Sequence, residues 1–216
     1  MSKRSPIATQ ETRDEKETSR IEAFSDGVFA IAITLLVLDI KVPHDLTEEA
    51  GLAQALLHLW PAYLAFVISF AFIGIMWINH HKLFRLIRRS DHGLLLLNTL
   101  LLMGITFVPF PTTLLAENLQ HPDQRLAAMV YSGIYEVIAI FFNLLWWYAS
   151  YKNRLLSKNA DPRAVRAITW SYACGPSLYL VAFGLAFVSA MASLAFNVAL
   201  AVFFALPLGL QRVSLD

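Results

Sequence analysis

Along the chain, apolar residues gather into long runs separated by short polar and basic segments, and the runs have membrane-crossing length. About 20 predominantly apolar residues cross a ~30 Å hydrocarbon core as a helix. Runs of that size fall at roughly 20–41, 54–78, 93–116, 126–148, 167–188 and 193–211. The last two come from dividing one stretch. From Ala167 to Gln211 there is no Asp, Glu, Lys or Arg, and the stretch is about twice one crossing. Unpaired backbone in lipid is costly, so the join near Ser189–Ser193 belongs at the membrane surface. The pattern predicts an all-α protein of six transmembrane helices.

Lys and Arg alternate between the connecting segments. Lys3, Arg4, Arg13, Lys16 and Arg20 precede or open the first run. Lys82, Arg85, Arg88 and Arg89 follow the second, and Lys152, Arg154, Lys158, Arg163 and Arg166 follow the fourth. Arg212 follows the sixth, and only Lys41 and Arg125 lie in the other loops. By the positive-inside rule both termini are cytoplasmic and the protein is a multi-pass protein of the cell membrane. An even number of spans agrees with dividing the last stretch. Trp60, Trp77, Trp146, Trp147 and Trp170 all fall near predicted span ends, where interfacial anchors are expected.

Composition agrees with this reading. Of 216 residues, 57% are hydrophobic and 15% charged, with a mean hydropathy of +0.55, against about half and a quarter in soluble domains. The net charge of +1 points to no acidic partner, and no nucleic-acid partner is expected. Cys174 is the single cysteine, so no intrachain disulfide forms; its apolar run predicts that it packs as a small hydrophobe. Residues 1–18 read as a mobile cytoplasmic tail and 19–216 as the transmembrane domain. The polar opening followed by a run without a small-residue cleavage site predicts no removable signal peptide. There is no low-complexity segment and no convincing internal repeat.

The first helix, from Arg20 to Pro43, carries the chain's most distinctive residues. Ser19 and Glu22 match a capping box, which starts the helix at Arg20 and puts Phe24-Ser25-Asp26-Gly27 one turn inside. The alternative is Ser25 or Asp26 as N-cap with Phe24 as staple. Under the helical reading a carboxylate sits at the cytoplasmic membrane edge, at a cost of up to about 3 kcal/mol unless partnered. The positive helix end relieves part of that, and Arg20 or a neighbouring histidine could relieve more. Beyond Asp26, Ile31, Leu35 and Leu38 recur at i, i+4 and i+7 on one face. Such a stripe is a packing seam, a lipid-facing surface or the wall of a narrow pore that gates by dewetting; local pattern favours the first two.

Arg20 followed by Phe24-Ser25-Asp26 and an aliphatic helix resembles the R-x-x-x-F-S-D signature of the transmembrane protein 175 family of potassium channels. Six spans in a chain of this length, with both termini inside, resemble its single-repeat prokaryotic members. The resemblance implies a homotetramer embedded in membrane lipid that passively conducts potassium ions through a central pore lined by the first helix. It implies a constriction at Ile31, Leu35 and Leu38, and signature residues that hold the cytoplasmic part of that helix against its neighbours. No T-V-G-Y-G filter is present, and the family also lacks it. Some members carry a hydroxyl where this chain has Leu38, and there it helps select potassium. The nearest hydroxyl here is Thr34, so weak selectivity over sodium is expected. No cofactor is implied.

Other residues invite a function. Trp77-Ile78-Asn79-His80-His81-Lys82 closes the second run on the side of Asp26. His80 or His81 pairs with that carboxylate, or the cluster simply meets water. Adjacent histidines share no helix face, so no metal site is expected there. Glu136 is the only acidic residue deep in a later run, which suggests a proton relay or ion path. The favoured reading is structural: a protonated carboxyl, or one paired with Asn98, Asn143 or Asn197. Phe107-Val108-Pro109-Phe110-Pro111 should kink or end the third helix, and Pro176 and Pro207 mark further irregularities. Gly175, Gly184, Ala186, Ala190 and Ala192 suggest close packing of the last two helices. A proton-coupled secondary transporter using Glu136 and a broken helix is the alternative function. An enzyme is not expected: there is neither H-E-x-x-H nor G-x-S-x-G, and Cys174 lacks a recognisable partner.

Overall fold

A computed structural model describes residues 6–43, 51–157 and 160–205, with the side chains of 16–43, 51–157 and 160–203. Lys3, Arg4, Lys158, Pro207, Arg212 and the end of the sixth predicted span lie outside these residues, and the Arg13 side chain lies outside the described side chains. The elements are α1 (Pro6–Leu35), a 3-10 turn (Leu36–Asp39), α2 (Leu52–His58), α3 (Trp60–Leu86), α4 (His92–Phe107), α5 (Pro109–Asn118), α6 (Gln124–Ser150), α7 (Pro162–Ala186) and α8 (Ala190–Ala205). Among the described residues there is no sheet.

Among the described residues, four stretches are long and apolar enough to cross a membrane: Lys16–Asp39, Trp60–Leu86, His92–Asn118 and Gln124–Asn153. The first four predicted spans fall on them. The fifth falls on α7, whose first turns carry Arg163 and Arg166, and the sixth on the shorter apolar α8. Their join comes slightly earlier than Ser189–Ser193: α7 ends at Ala186, and the Ser189 hydroxyl accepts from the Ala192 N–H at 3.2 Å, capping α8. At the other end of the chain, α1 is already helical from Pro6. Ser19 and Glu22 therefore lie mid-helix and form no capping box, and the part of the expected tail from Pro6 onward continues the first span.

Proline chemistry accounts for the helix irregularities. Pro109 has no N–H to offer the Ile105 carbonyl, which accepts instead from Val108 at 3.2 Å, and α4 gives way to α5 there. Pro176, inside α7, likewise frees the Tyr172 carbonyl. The Asn143 amide of α6 donates to that oxygen at 2.8 Å, so α7 runs on through the proline with the freed carbonyl satisfied from the neighbouring helix.

The core gathers around α6, which packs on α4, α5, α7 and α8. Phe72 lies 4.5 Å from the Tyr135 ring, and Tyr131 lies 4.9 Å from it. Ser69 of α3 shares hydrogen bonds with Thr112 (2.8 Å) and Tyr131 (3.0 Å). Ser132, Ser193 and Asn197 join α6 to α8, and Ser193 also donates to the Ala182 carbonyl of α7 at 2.7 Å. Such buried polar contacts hold helices together where lipid removes most of the hydrophobic drive.

Close approach occurs at a glycine other than those expected. A carbon added at Gly104 would lie 2.9 Å from Ile138 Cγ1, whereas Gly175 and Gly184 have nothing within 4 Å of that position. Ala186 and Ala190 are buried as expected, but Ala192 is exposed. Gly104→Ala is expected to cost about 1–3 kcal/mol by overpacking α4 against α6. A lowered Tm of the detergent-purified protein would register it, with Gly184→Ala as a control that does not lower Tm. Two further expectations fail. Cys174 is exposed, and Trp146 is buried with its Nε1–H on Thr169 (2.9 Å), so only Trp60, Trp147 and Trp170 stand as free anchors.

Candidate functional site: the first helix and its cytoplasmic node

The faces of α1 have different fates. Ile21, Ser25, Phe29, Ala32 and Leu36, spaced three or four apart, are buried against the rest of the subunit. Arg20, Phe24, Gly27, Ile31, Thr34 and Leu38 are exposed, at alternating steps of four and three. That is the a/d spacing by which helices pack on one another in a bundle. In the apolar part of this helix 22% of residues are buried inside the subunit, against 39% in each of the other three candidate spans. Of these four spans the first is the least covered.

Ile31, Leu35 and Leu38 stay 59%, 40% and 72% exposed, so the stripe is no packing seam within the subunit. The α-helix stops at Leu35 and Leu38 lies in the 3-10 turn. Three residues complete a turn there, so Leu38 remains in line with Leu35. Thr34 is exposed beside them, and its hydroxyl bonds back to the Ala30 and Ile31 carbonyls at 3.0 and 2.9 Å. Past the turn, Lys41 pairs with Glu117 at 2.5 Å, tying the end of this segment to α5. The hydrogen bond and charge of Glu117 raise the Lys41 ammonium above its ordinary value.

The signature residues divide between the two faces. Phe24 joins the exposed line, and Arg20 is exposed with no partner among the described residues. Ser25 is fully buried, donates to the Ile21 carbonyl at 2.8 Å and accepts from Asn98 Nδ2 at 3.0 Å. The Asn98 carbonyl oxygen then accepts from His80 Nε2–H at 2.9 Å. His80 is itself buried, stacked on Phe84 (4.4 Å) and edge-on to Phe29 (5.5 Å). Beside this chain, Asp26 accepts from Trp77 Nε1–H at 2.8 Å and Glu22 pairs with His81 Nδ1 at 2.6 Å. Glu22 and Asp26, one turn apart, thus meet His81 and Trp77, one turn apart on antiparallel α3. Ser90 donates to Glu17 a further turn out, at 3.1 Å.

These contacts correct the expected partners. Neither Arg20 nor a histidine takes Asp26; Trp77 does. His80 reaches α1 through Asn98, and His81 meets Glu22. None of Asn98, Asn143 and Asn197 meets Glu136, which is half-buried with one carboxylate oxygen enclosed and without a partner among the described residues. Asn98 and Trp77 are the site residues that sequence reasoning did not assign. The signal for Asn98 was present: an amide within the run Leu94-Leu95-Leu96-Leu97-Asn98-Thr99-Leu100 requires partners. The arrangement clamps one face of α1 and leaves the other uncovered.

The family model for the endosomal/lysosomal potassium channel TMEM175 matches residues 20–109, which include the outer line, Trp77 and the Ser25–Asn98–His80 node. A potassium channel of Chamaesiphon minutus is 58% identical over 197 residues, covering 91% of this chain and 97% of the relative. One of Streptomyces collinus is 47% identical over 189 residues, covering 87% and 91%. The crystal structure of a lysosomal potassium-selective channel TMEM175 homolog from Chamaesiphon minutus superposes with a TM-score of 0.81 at 56% identity, over 88% of this chain and 97% of that one. With near-complete coverage at such identity, and Ser25 of the signature set into the node behind α1, this chain belongs to the TMEM175 family.

Proposed function

We propose that the chain is a potassium-permeable cation channel of the cell membrane rather than an enzyme, with four copies enclosing a pore between their first helices. Six spans with both termini in the cytoplasm complete this reading, the last two supplied by α7 and α8. The observation that carries it is the uncovered line from Phe24 to Leu38 on the least covered of the four long apolar spans. Exposure alone fits a lipid-facing surface equally; membership of a family whose Chamaesiphon minutus and Streptomyces collinus relatives are named potassium channels favours the pore. Rings of Ile31, Leu35 and Leu38 would form a constriction without carbonyl cages or charged rings, closing to ions when it dewets. With no hydroxyl at Leu38, discrimination against sodium would be weak. The node at Ser25, Asn98 and His80 would fix the rotation of α1 and so keep these side chains on the axis.

Reconstituted into liposomes, the protein should pass potassium down its electrochemical gradient, and bi-ionic recordings should give a reversal potential of modest potassium preference. Absence of any gradient-driven flux removes the proposal. The unpartnered Glu136 oxygen and the proline inside α7 favour a second reading, a proton-coupled transporter. Glu136→Gln decides between them: a channel keeps its passive flux, while a coupled transporter loses its response to a pH gradient.

A further inference from the structure

The loops joining α3 to α4 and α6 to α7 pair along their backbones. Ile87 and Leu156 form an antiparallel bridge. Arg88 and Arg89 N–H donate to the Leu155 carbonyl at 3.0 and 3.2 Å, and Ser157 N–H donates to that of Leu86 at 2.9 Å. Lys152 and Asn153 both hold a φ of 53° where α6 ends, in the left-handed region that favours glycine. Between these loops and the start of α7 lies a pocket of 390 Å³, lined by Arg89, Asn153, Ser157, Pro162, Val165 and Arg166 among others. Its volume lies within the ~300–1,000 Å³ range of small-molecule sites.

We infer that this pocket binds a phosphate group, carried by an acidic phospholipid headgroup or by free phosphate. Its two guanidiniums have no carboxylate partner among the described residues, whereas Arg154, in the same loop, is taken by Asp91 at 2.8 Å. Arg89 is held in place by one N–H on the Leu156 carbonyl at 3.2 Å, leaving most of its five donors for a ligand. Planar forks of this kind match phosphate oxygens two at a time. The Ser157 hydroxyl and Asn153 amide add neutral polar groups to the walls. Asp161, the nearby acid, caps α7 by accepting from the Arg163 N–H at 2.9 Å and is not among the lining residues. Trp170, about one turn past Arg166, and Trp147, near the end of α6, are exposed as headgroup-level anchors are, which sets the pocket at the depth of lipid phosphates. Only the choice of leaflet rests on the orientation proposed above: it is the cytoplasmic one, where acidic lipids lie.

The test measures the Tm of detergent-purified protein against dioctanoyl phosphatidylglycerol, dioctanoyl phosphatidylcholine and inorganic phosphate, so its readout is independent of ion flux. The acidic lipid is expected to raise Tm saturably and phosphatidylcholine is not. An equal response to inorganic phosphate identifies the free anion as ligand, and a response to the lipid alone identifies the headgroup; either supports the site. Arg166→Gln and Arg89→Gln should each weaken the apparent Kd about tenfold. Arg163→Gln, one turn earlier on α7 and outside the lining, should leave it unchanged. Because Arg89 also supports the loop, Arg166→Gln is the deciding variant. The inference is overturned if neither probe shifts Tm, if phosphatidylcholine acts equally, or if Arg166→Gln binds as the parent protein does or no worse than Arg163→Gln.

Discussion

Leu35→Ala is expected to raise potassium flux through reconstituted protein by about tenfold, the effect of lowering a barrier by about 1.4 kcal/mol. Leu35 is exposed on the uncovered side of α1 and stands between Ile31 and Leu38 in one line. If four such helices meet, each truncation removes a branched side chain from a ring of four, widening the narrowest apolar section and favouring its wetting. Because the side chain is little used inside its own subunit, the substitution opens no large core cavity, and protein yield and Tm should hold. Val37→Ala supplies the contrast: Val37 is also exposed but lies off this line, and flux should stay near the parent value. Liposome flux assays run in parallel on Ile31, Leu35, Leu38 and Val37 variants give the answer. If no substitution among the first three alters flux or selectivity, the line faces lipid and the pore lies elsewhere.

Asn98→Leu is expected to be the most damaging substitution in the clamp, at about 3–5 kcal/mol. It strands two buried groups at once, leaving the Ser25 oxygen without its donor and His80 Nε2–H without its acceptor. Each stranded group costs about 1–3 kcal/mol. Ser25 keeps its bond to the Ile21 carbonyl, which is why the expected loss is not larger. Replacing both ends of a buried hydrogen bond by apolar groups can come close to neutral. Asn98→Leu combined with His80→Leu should therefore lose less than the two single losses added together. A double-mutant cycle on Tm, with size-exclusion profiles to follow assembly, measures that coupling directly. Strict additivity, or an Asn98→Leu protein as stable as its parent, would show that the node holds nothing.

The exposed line on α1 and the node behind it were legible to different degrees. Ile31, Leu35 and Leu38 followed from a 3.6-residue period within one segment, and the apolar runs marked the first four spans because run length is a one-dimensional property. The same reading did not say whether that stripe was covered. Coverage depends on which helices stand beside α1, and the subunit puts α3 and α4 on its other side.

Partner choice lay further out of reach. Asp26 meets Trp77 across 51 residues of chain, and Ser25 meets Asn98 across 73. Shifting α3 by one residue against α1 would bring a different side chain to Asp26, and no local pattern encodes that register. The small-residue signal held only in part for the same reason: Ala186 and Ala190 are buried, but Gly104 is a point of close approach because Ile138 stands opposite it, while nothing of the subunit lies within 4 Å of a carbon added at Gly184. Composition, run lengths and the spacing of basic residues determined that this is an all-helical membrane protein with a polar start to its first span. The tertiary structure alone decided which face of that span is clamped, which residues clamp it and which side chains the subunit leaves uncovered, because those depend on helix register and rotation, set only when the helices pack.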